Sequence, residues 1–367
     1  MTNRHLPHDL AQMQSLPLEA KIIMTQQRIR QWYEHWDGMV YVSFSGGKDS
    51  TVLKHIVDGM YSDVPSVFVN TGLEYPEIQQ FARSQKNVVI LRPEMRFDEV
   101  LKKHGYPIIG KKQANVIGHA QKNKEQGKYT LRLRNLGITP KEAQKMGFDL
   151  PSKEMLARYE KSLSGSIHNI PNYRYLLDAD FRISEKCCDE MKKKPLLRYQ
   201  KETGRKPIIA TMACESALRR SSWLKNGCNA FETKKPSSQP LSFWTEQDIL
   251  HYLKKYNVPY CSVYGEIQVK QSADTEPGQM NAIDLLGCYE PEDTLETTGC
   301  NRTGCIFCMF GCHLDKGENR FQRLKRTHPR QYEYCINGGE MVDDKWQPNK
   351  DGLGLGHVLD YIGVKYD

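Results

Sequence analysis

The chain has 367 residues, 39% of them hydrophobic, and a formal net charge of +8; this length and composition suffice for a full core and exclude a wholly disordered protein. Its longest apolar runs, such as 39–44 and 64–69, fall far short of the roughly 20 residues that a bilayer-spanning helix needs, so no membrane contact is expected. Residues 1–16 lack the basic start and apolar stretch of a secretory signal, which predicts a cytoplasmic protein.

Charge and cysteine content narrow the function classes further. The excess of 52 basic over 44 acidic residues favours anionic partners such as nucleotides or nucleic acid. The chain also has 11 cysteines. A reducing cytoplasm keeps thiols from forming structural disulfides, so clustered cysteines indicate metal binding or catalysis.

The first hundred residues alternate between helical and strand patterns. Apolar residues at helical spacing predict an amphipathic helix over 17–37, and the β-rich run 39–44 predicts a buried parallel strand. Further strands are predicted at 66–70 and 88–91, and helices at 49–60, 75–84 and 97–104. This βαβ alternation predicts an α/β fold with a doubly wound, mostly parallel, Rossmann-like sheet.

The rest of the chain does not continue this alternation of strands and helices. Residues 111–173 are charged with scattered leucines and predict a helical insertion, whereas 207–212 predicts a strand. Helices are predicted at 214–225 and at 243–256, the second capped by Thr245. We therefore predict an N-terminal helical segment (1–38), a nucleotide-binding α/β domain (39–263) that contains the insertion, and a cysteine-rich, basic C-terminal module (264–367).

A glycine turn separates the first predicted strand from the next helix. Just after the strand residue Ser43, it reads Ser45-Gly46-Gly47-Lys48-Asp49-Ser50. Successive backbone amides at a helix N-terminus form a concave anion site, so the hexamer predicts a phosphate-binding loop. It lacks the spacing of a Walker loop. The alternative, a plain surface turn, is disfavoured by its position between a buried strand and a helix.

The hexamer resembles the loop of ATP pyrophosphatases (PP-loop enzymes), which cleave ATP between its α and β phosphates. In such a loop Ser45, Ser50 and the amides would grip phosphate oxygens. Lys48 would neutralise charge on the leaving pyrophosphate, and Asp49 would help to position Mg²⁺. The resemblance thus implies an adenine-nucleotide site.

A second nucleotide-binding element is predicted where the next strand ends. Open parallel sheets bind ligands at their carboxyl edge, and Asn70-Thr71-Gly72 follows that strand. This segment resembles the Asp-Thr-Gly segment of adenylyl-sulfate and phosphoadenylyl-sulfate (PAPS) reductases, with Asn70 in place of the usual Asp. A simple strand-end turn is the alternative.

Two cysteine pairs suggest a metal centre. Cys187 and Cys188 are adjacent, and Cys305 and Cys308 form a C-x-x-C pair. Four thiolates from two segments can hold a [4Fe–4S] cluster or a tetrahedral zinc, and the tandem pair favours the cluster. Cys300 and Cys312 flank the second pair, so either could replace a tandem cysteine or carry sulfur as a free thiol. A zinc knuckle built from Cys300, Cys305, Cys308 and Cys312 alone is the alternative.

Longer segments strengthen the family resemblance. Residues 186–196, which contain the tandem cysteines, a lysine and Pro195-Leu196, look like the Cys-Cys segment of adenylyl-sulfate reductases. Cys214-Glu215-Ser216 with Arg219-Arg220 resembles their sulfonucleotide-binding arginine region. The agreement covers about 39–312 without the insertion. It implies the fold of the adenine nucleotide alpha hydrolases, with Cys187, Cys188, Cys305 and Cys308 ligating a [4Fe–4S] cluster near the nucleotide.

Two departures from the reductases decide which activity the resemblance implies. In those enzymes the phosphate loop is degenerate and lacks its lysine. The loop from Ser45 to Ser50 is complete here and contains Lys48. They also end in a mobile segment with a nucleophilic cysteine, and Cys335 is the only thiol after Cys312. A lone cysteine is more often inert than nucleophilic. The chain is therefore more similar to the sulfurtransferase branch that includes the DNA phosphorothioation enzyme.

That branch implies an ATP-dependent reaction. ATP would be cleaved to pyrophosphate and an adenylated acceptor, from which a sulfur donor displaces AMP, with a cysteine desulfurase as one candidate donor. Arg219 and Arg220 would hold the adenylate or an acceptor phosphate through bidentate contacts, although a solvated helix face explains them equally well. A sulfonucleotide reductase that releases sulfite and a nucleotide-sensing metal-binding module without turnover are the competing hypotheses.

Basic residues after the C-x-x-C pair suggest a nucleic-acid acceptor. Six basic residues alternate with aromatic ones there: Arg320, Arg323, Lys325, Arg326, His328 and Arg330 with Phe321, Tyr332 and Tyr334. Such a mixture could grip the backbone of DNA or RNA and stack bases. A basic helix on a protein surface is the alternative. The sequence does not indicate an oligomeric state.

Overall fold

A computed structural model describes residues 5–163, 166, 168–270 and 293–367. Contacts between Cα atoms divide the chain into two compact units. The first unit comprises Met1–Asn70, Glu74–Leu91 and Leu196–Thr303, and the second comprises Thr71–Leu73, Arg92–Pro195 and Gly304–Asp367. Within the described part of the chain, no helix is both long and apolar enough to cross a membrane.

Helices and strands alternate through the described residues. In chain order the α-helices are α1 (Pro7–Gln14), α2 (Leu18–His35), α3 (Lys48–Met60), α4 (Pro76–Ser84), α5 (Phe97–His104), α6 (Lys111–Glu125), α7 (Leu131–Asn135), α8 (Pro140–Lys145), α9 (Lys153–Leu163), α10 (Lys194–Thr203), α11 (Ala217–Asn226), α12 (Glu246–Lys255), α13 (Arg320–Thr327), α14 (Pro329–Ile336) and α15 (Leu355–Tyr361). The strands are β1 (Val40–Phe44), β2 (Ser66–Val69), β3 (Val88–Leu91), β4 (Lys206–Ile209), β5 (Asn229–Ala230), β6 (Ser237–Ser238), β7 (Ile267–Val269), β8 (Leu295–Thr297), β9 (Glu340–Val342) and β10 (Lys345–Gln347).

The first unit is built on a sheet with the strand order β3-β2-β1-β4-β6-β5. All neighbouring strands in it are parallel except β5 and β6, which form an antiparallel edge. In the register, Val42 lies beside Ser66 and beside Ile208. Strands β1 and β2 are almost wholly buried, as expected of parallel strands covered on both faces. The predicted α/β fold with a mostly parallel sheet is confirmed.

The N-terminal helices share the core of this sheet. Trp32 of α2 is fully buried with Val52 of α3 and Trp244. An ion pair between Lys21 Nζ and Asp248 Oδ2, 2.8 Å long, joins α2 to the first turn of α12 in a largely buried position. Thr245 caps α12 by accepting a hydrogen bond from the Asp248 backbone N–H, as predicted. Helix α2 is thus an integral part of the first unit.

The second unit is mainly helical. Residues 111–173, predicted to be helical, contain α6 to α9 among the described positions, which leave out 164, 165 and 167. The buried amide of Gln121 organises this unit: its Nε2 donates to the carbonyls of Leu176 and Phe181 at 3.1 and 3.0 Å, and its Oε1 accepts from Ile183 N at 3.0 Å. The stretch 176–183 is thereby fixed to α6 at three points.

The division into units differs from the predicted three parts. The antiparallel pair β7 and β8 lies in the first unit, which extends to Thr303, rather than in a separate module from residue 264. Residues 92–195 form the second unit together with Gly304–Asp367. Residues 271–292 of the predicted module, like 1–4 of the predicted N-terminal segment, lie outside the described residues.

Candidate functional site: a phosphate loop and a cysteine group

The glycine turn in the first unit has the backbone that an anion site requires. Strand β1 ends at Phe44, and α3 begins at Lys48. Gly46 has a φ of +73°, a conformation that side-chain-bearing residues avoid, and a Cβ there would lie 2.9 Å from Ile78 Cγ2. Gly47 is the residue before the first helical one, so the first amides of α3 have no acceptor within the helix, as an anion site requires.

Hydroxyl groups line the same turn. Ser50 Oγ accepts from the Ser45 backbone N–H at 3.1 Å and lies 3.0 Å from Ser45 Oγ. Ser45 Oγ accepts from the Gly47 backbone N–H at 3.3 Å. The strand residue Ser43 pairs with Val67 and Ile209 in the sheet. The predicted loop serines thus lie together at the carboxyl end of β1.

Lys48 points into the interior of the first unit. Its side chain is 5% exposed, and its Nζ lies 3.1 Å from Glu246 Oε1 and 5.1 Å from the ring centre of Tyr264. The Tyr264 hydroxyl accepts from the Lys48 backbone N–H at 3.4 Å and lies 2.6 Å from Thr303 Oγ1. Burial raises the pKa of Tyr264 to about 12, so this hydroxyl stays protonated and can donate as well as accept.

Asp49 lies among positive charges. Burial raises the pKa of its carboxyl group, an effect that the charges of Lys48, Arg302 and Arg219 oppose. Mg²⁺ in nucleotide sites is usually held by one or two carboxylates together with phosphate oxygens. Asp49, with the hydroxyl of Ser50 on the next residue, fits that requirement.

Two arginines share one carboxylate beside Asp49. Arg219 and Arg302 both form ion pairs with Glu215, whose side chain is 9% exposed and whose Oε2 also accepts from Met212 N at 2.9 Å. Burial, and then the charge of Arg302, lowers the pKa of Arg219. Each guanidinium has five N–H donors. The ion pair with the shared carboxylate uses only some of them, so the remaining N–H groups can bind a ligand. Of the predicted pair, Arg219 lies beside Asp49, whereas Arg220 is exposed.

The predicted second nucleotide element forms a turn after β2. Asn70 belongs to the first unit, where its backbone N–H donates to Leu91 O at 2.9 Å. Thr71 and Gly72 belong to the second unit, where Thr71 Oγ1 accepts from Leu73 N at 3.2 Å and Gly72 has a φ of +75°. A role of these three residues in nucleotide binding stays a prediction.

The second unit brings together four of the predicted metal ligands. Cys187 interacts electrostatically with Cys305 and Cys308 and is hydrogen-bonded to Cys188. The segment that leads to Cys187 passes directly over α6, where a Cβ on Gly118 would lie 2.1 Å from Ile183 O. The two sequence-distant cysteine pairs therefore converge, and glycine at position 118 permits the approach.

Cations surround these thiols. The hydrogen bond from Cys187, with the charges of Lys111 and Lys192, lowers the pKa of Cys188, while the same hydrogen bond raises that of Cys187. Burial raises the pKa of Cys308, and the nearby Arg320 opposes the rise. A [4Fe–4S] cluster with four thiolates carries net negative charge, which such cations stabilise, so the charge around these thiols suits that group.

The possible substitute ligands differ in position. Cys312 lies in the second unit close to Cys308, and burial raises its pKa to about 11. Cys300 lies in the first unit, where its thiol is 3.8 Å from the Tyr75 hydroxyl. No group of three or more histidine, cysteine or carboxylate side chains among the described residues is arranged to hold a metal ion. The choice among a [4Fe–4S] cluster, zinc and a zinc knuckle therefore stays a prediction.

Comparison with known proteins places this site in a family. Residues 39–115 and 155–309, which are more than half of the chain, match the family model of the phosphoadenosine phosphosulfate reductase domain. The chain belongs to this family. Both the phosphate loop and the two cysteine pairs lie within the matched residues.

Two further comparisons give partial similarities. A protein of Methanocaldococcus jannaschii that is itself uncharacterized is 31% identical over 105 residues, which are 26% of this chain and 25% of that relative. The chain thus matches about a quarter of that relative's length. The crystal structure of the PAPS reductase from Candida auris in a phosphate complex superposes with a TM-score of 0.34 and 13% identity, over 71% of this chain and 92% of that one.

Cys335 does not have the properties of a nucleophile. It lies in α14, is wholly buried, and burial raises its pKa well above the usual value. Attack on a sulfonucleotide by this family's reductases would need an accessible thiol with thiolate character. The one thiol that a reductase mechanism could use after Cys312 is therefore inaccessible.

Much of the predicted basic stretch has internal partners. Arg320 donates to the carbonyls of Cys308 and Phe310 at 3.1 and 3.0 Å and pairs with Asp315 at 2.9 Å. Arg323 and Arg326 both pair with Glu318. Phe321 is fully buried, and Lys325 lies 5.6 Å from the ring centre of Tyr332. Arg320 in particular fixes the loop that carries Cys308, a structural role.

Sequence reasoning missed several residues of the phosphate site. Glu246, Tyr264, Arg302 and Thr303 surround Lys48 and Asp49, yet they lie about 200 or more residues further along the chain. Glu215 was noticed only as part of the arginine segment. One signal was available: Arg302 and Thr303 directly precede Gly304-Cys305, within the segment already singled out for its cysteines.

Proposed function

We propose that this protein cleaves ATP to pyrophosphate and an adenylated acceptor and that it uses a cysteine-held iron–sulfur cluster in the sulfur transfer that follows. The observation that carries the proposal is the complete loop, with Lys48 buried beside Asp49 at the start of α3. Membership in a family named for nucleotide-linked sulfur chemistry supports it.

The loop would act on the leaving group. An acceptor oxygen attacks the α-phosphorus, the bond to the bridging oxygen of pyrophosphate breaks, and the acceptor keeps the adenylate. Backbone amides after Gly46 and the Lys48 ammonium would stabilise the charge that builds on pyrophosphate. Bound Mg²⁺, held with the help of Asp49, would supply further charge neutralisation.

Glu215 would position the other half of the nucleotide site. It orients the guanidinium groups of Arg219 and Arg302, which can bind phosphate oxygens in a bidentate manner. In the second step a sulfur nucleophile displaces AMP from the acceptor, and the arginines would stabilise the departing phosphate. A cluster held by Cys187, Cys188, Cys305 and Cys308 would supply a site for binding the sulfur; a cysteine desulfurase is one candidate donor.

The reaction is tested by product analysis. Protein purified without oxygen is incubated with Mg²⁺, ATP labelled in the α- or the γ-phosphate, and DNA or RNA as the candidate acceptor. We expect labelled pyrophosphate from γ-labelled ATP and a labelled adenylated acceptor from α-labelled ATP, with AMP released only when a sulfur donor is added. Release of ADP and phosphate would contradict the proposal. Sulfite release from adenylyl sulfate in the presence of thioredoxin would instead establish a reductase, and a spectral change on ATP addition without any product would establish a nucleotide sensor.

Glu215→Gln should weaken the binding of the anionic substrate. The amide cannot form ion pairs with Arg219 and Arg302, so both guanidinium groups lose their fixed orientation. Hydrogen bonds to charged groups contribute about 1.5–3 kcal/mol, so we expect kcat/KM for pyrophosphate release to fall about tenfold to a hundredfold, mainly through KM.

The matched control is Glu19→Gln. Glu19 pairs with Lys255 at the surface of the same unit, where an ion pair contributes little. This variant should retain the kinetic constants of the wild type. Unchanged constants in Glu215→Gln, measured by coupled pyrophosphate detection, would show that the arginines do not depend on Glu215.

A further inference from the structure

The helical insertion has a marked excess of positive charge. Residues 111–163 contain 12 Lys and Arg but only five Asp and Glu, a net charge of +7 out of the +8 of the whole chain. All of them are described residues in the second unit. Helices α6 to α9 therefore form a strongly basic segment that could attract a polyanion.

Most of the acidic residues in this segment already have partners. Glu160 pairs with Arg134 at 2.7 Å, Glu142 with Arg174 at 3.2 Å and Glu125 with Lys345 at 3.8 Å. They are consequently not available to neutralise the remaining lysines. The excess charge is thus displayed at the surface rather than balanced within the segment.

Besides Lys111, which is hydrogen-bonded to Cys188, six lysines of the insertion are exposed, and we call them the insertion surface: Lys122, Lys128, Lys141, Lys145, Lys153 and Lys161. None of them forms an ion pair with another described residue. Lys141 and Lys145 are four residues apart on α8, so they project from the same side of that helix. Helix α9, which carries Lys153 and Lys161, has no buried residue.

The insertion is an addition to the family's domain. The family model matches 39–115 and 155–309, so residues 116–154 lie between the matched stretches. This segment nevertheless has a core of its own, with Ile117, Leu133 and Ile138 fully buried. Of the lysines in this segment, only Lys124 forms an ion pair with a described residue. A folded, strongly basic addition of this kind indicates a binding surface rather than a solvated loop.

We propose that the insertion surface binds the phosphate backbone of a nucleic acid. Lysines spaced along several helices can contact successive phosphates, and release of condensed counterions drives such binding. The aromatic side chains of Tyr129 and Phe148 are buried in the insertion's core, so they are not available to stack on bases. Recognition would accordingly depend on the backbone rather than on sequence. By comparison, Arg320, Arg323 and Arg326 of the C-terminal basic stretch are engaged internally.

Binding is measured on the full-length protein by fluorescence anisotropy. The probes are a labelled DNA duplex, an RNA duplex of the same length and vesicles that contain phosphatidylserine, each over a range of KCl concentrations. We expect binding to at least one duplex. The logarithm of the association constant should fall linearly with the logarithm of the KCl concentration, with a slope that steepens by about 0.9 for each phosphate contacted. The tighter duplex identifies the kind of nucleic acid. Lys141→Ala with Lys145→Ala should weaken binding about tenfold to a hundredfold and reduce the slope by about 2.

The control removes two exposed lysines of the first unit, Lys86→Ala with Lys201→Ala. It lowers the net charge equally and should retain wild-type binding. Equal weakening in the control, binding to vesicles but to neither duplex, or no binding at low salt would overturn the proposal. The inference concerns the acceptor of the proposed reaction but is measured without ATP. Neither double variant alters the phosphate loop, so both should release pyrophosphate at the wild-type rate once the nucleic acid is saturating. Failure of the proposed reaction would instead leave the wild type itself without pyrophosphate release, so the two failures are distinguishable.

Discussion

Lys48→Ala is expected to reduce pyrophosphate release from ATP about a hundredfold to a thousandfold, the usual effect of removing one group that stabilises charge in a transition state. Lys48 is the buried cation at the start of α3, with its ammonium between Glu246 and the Tyr264 ring. The two arginines beside Asp49, Arg219 and Arg302, are held in place by Glu215 and so would not move into the position of the lost ammonium. Initial rates of pyrophosphate formation check this expectation.

The variant should remain folded. Its Glu246 partner has a side chain that is 55% exposed, so water can solvate the carboxylate after the lysine is removed. Lys255→Ala is the matched control, since Lys255 lies on α12 in the same unit and pairs at the surface with Glu19. If Lys48→Ala keeps more than half of the wild-type rate while the circular dichroism spectra agree, the loop does not act on pyrophosphate.

Cys305→Ser is expected to remove most of the iron and sulfide from protein purified without oxygen. A [4Fe–4S] cluster gives about four iron atoms per chain and needs all four thiolates, and Cys305 interacts with Cys187 in the second unit. Sulfur transfer should be lost in this variant. Pyrophosphate release should persist, because the loop belongs to the first unit. Metal analysis, the visible absorption spectrum and the two activity assays measure these effects.

Cys335→Ala is the control for Cys305→Ser, because it removes a different cysteine of the same unit. It lies wholly buried in α14, and no step of the proposed reaction uses it. The variant should contain wild-type amounts of iron. Wild-type protein that contains zinc and no iron would contradict the cluster assignment, and loss of sulfite formation from adenylyl sulfate in Cys335→Ala would revive the reductase hypothesis.

The local parts of the site follow from the sequence. A strand, two glycines and a helix start are adjacent in the chain, so the order of residue types alone predicts the turn around Gly46 and the amides at Lys48. The βαβ alternation predicted the parallel sheet for the same reason, because short connections restrict how neighbouring strands can pair. Strand β3 (Val88–Leu91) and helix α5 (Phe97–His104) have the predicted bounds.

Domain division and partner choice depend on contacts that the sequence does not encode locally. The composition change at residue 264 suggested a module boundary, yet Tyr264 packs beside Lys48 and the first unit extends to Thr303. The change in composition reflects a loop-rich segment, and a loop-rich segment can still be held by backbone hydrogen bonds such as Gly299 N to Tyr264 O, 2.9 Å long. Composition therefore could not locate the boundary.

By itself, the sequence determined the α/β class, the phosphate loop and the cysteine pairs, because each of these depends on residues within a few positions of one another. Only the tertiary structure decided that Arg302 joins Arg219 on Glu215, that Glu246 and Tyr264 enclose Lys48, and that Cys335 is buried. Burial and charge pairing are properties of the packed chain: they arise when residues that are far apart in sequence are excluded from water together.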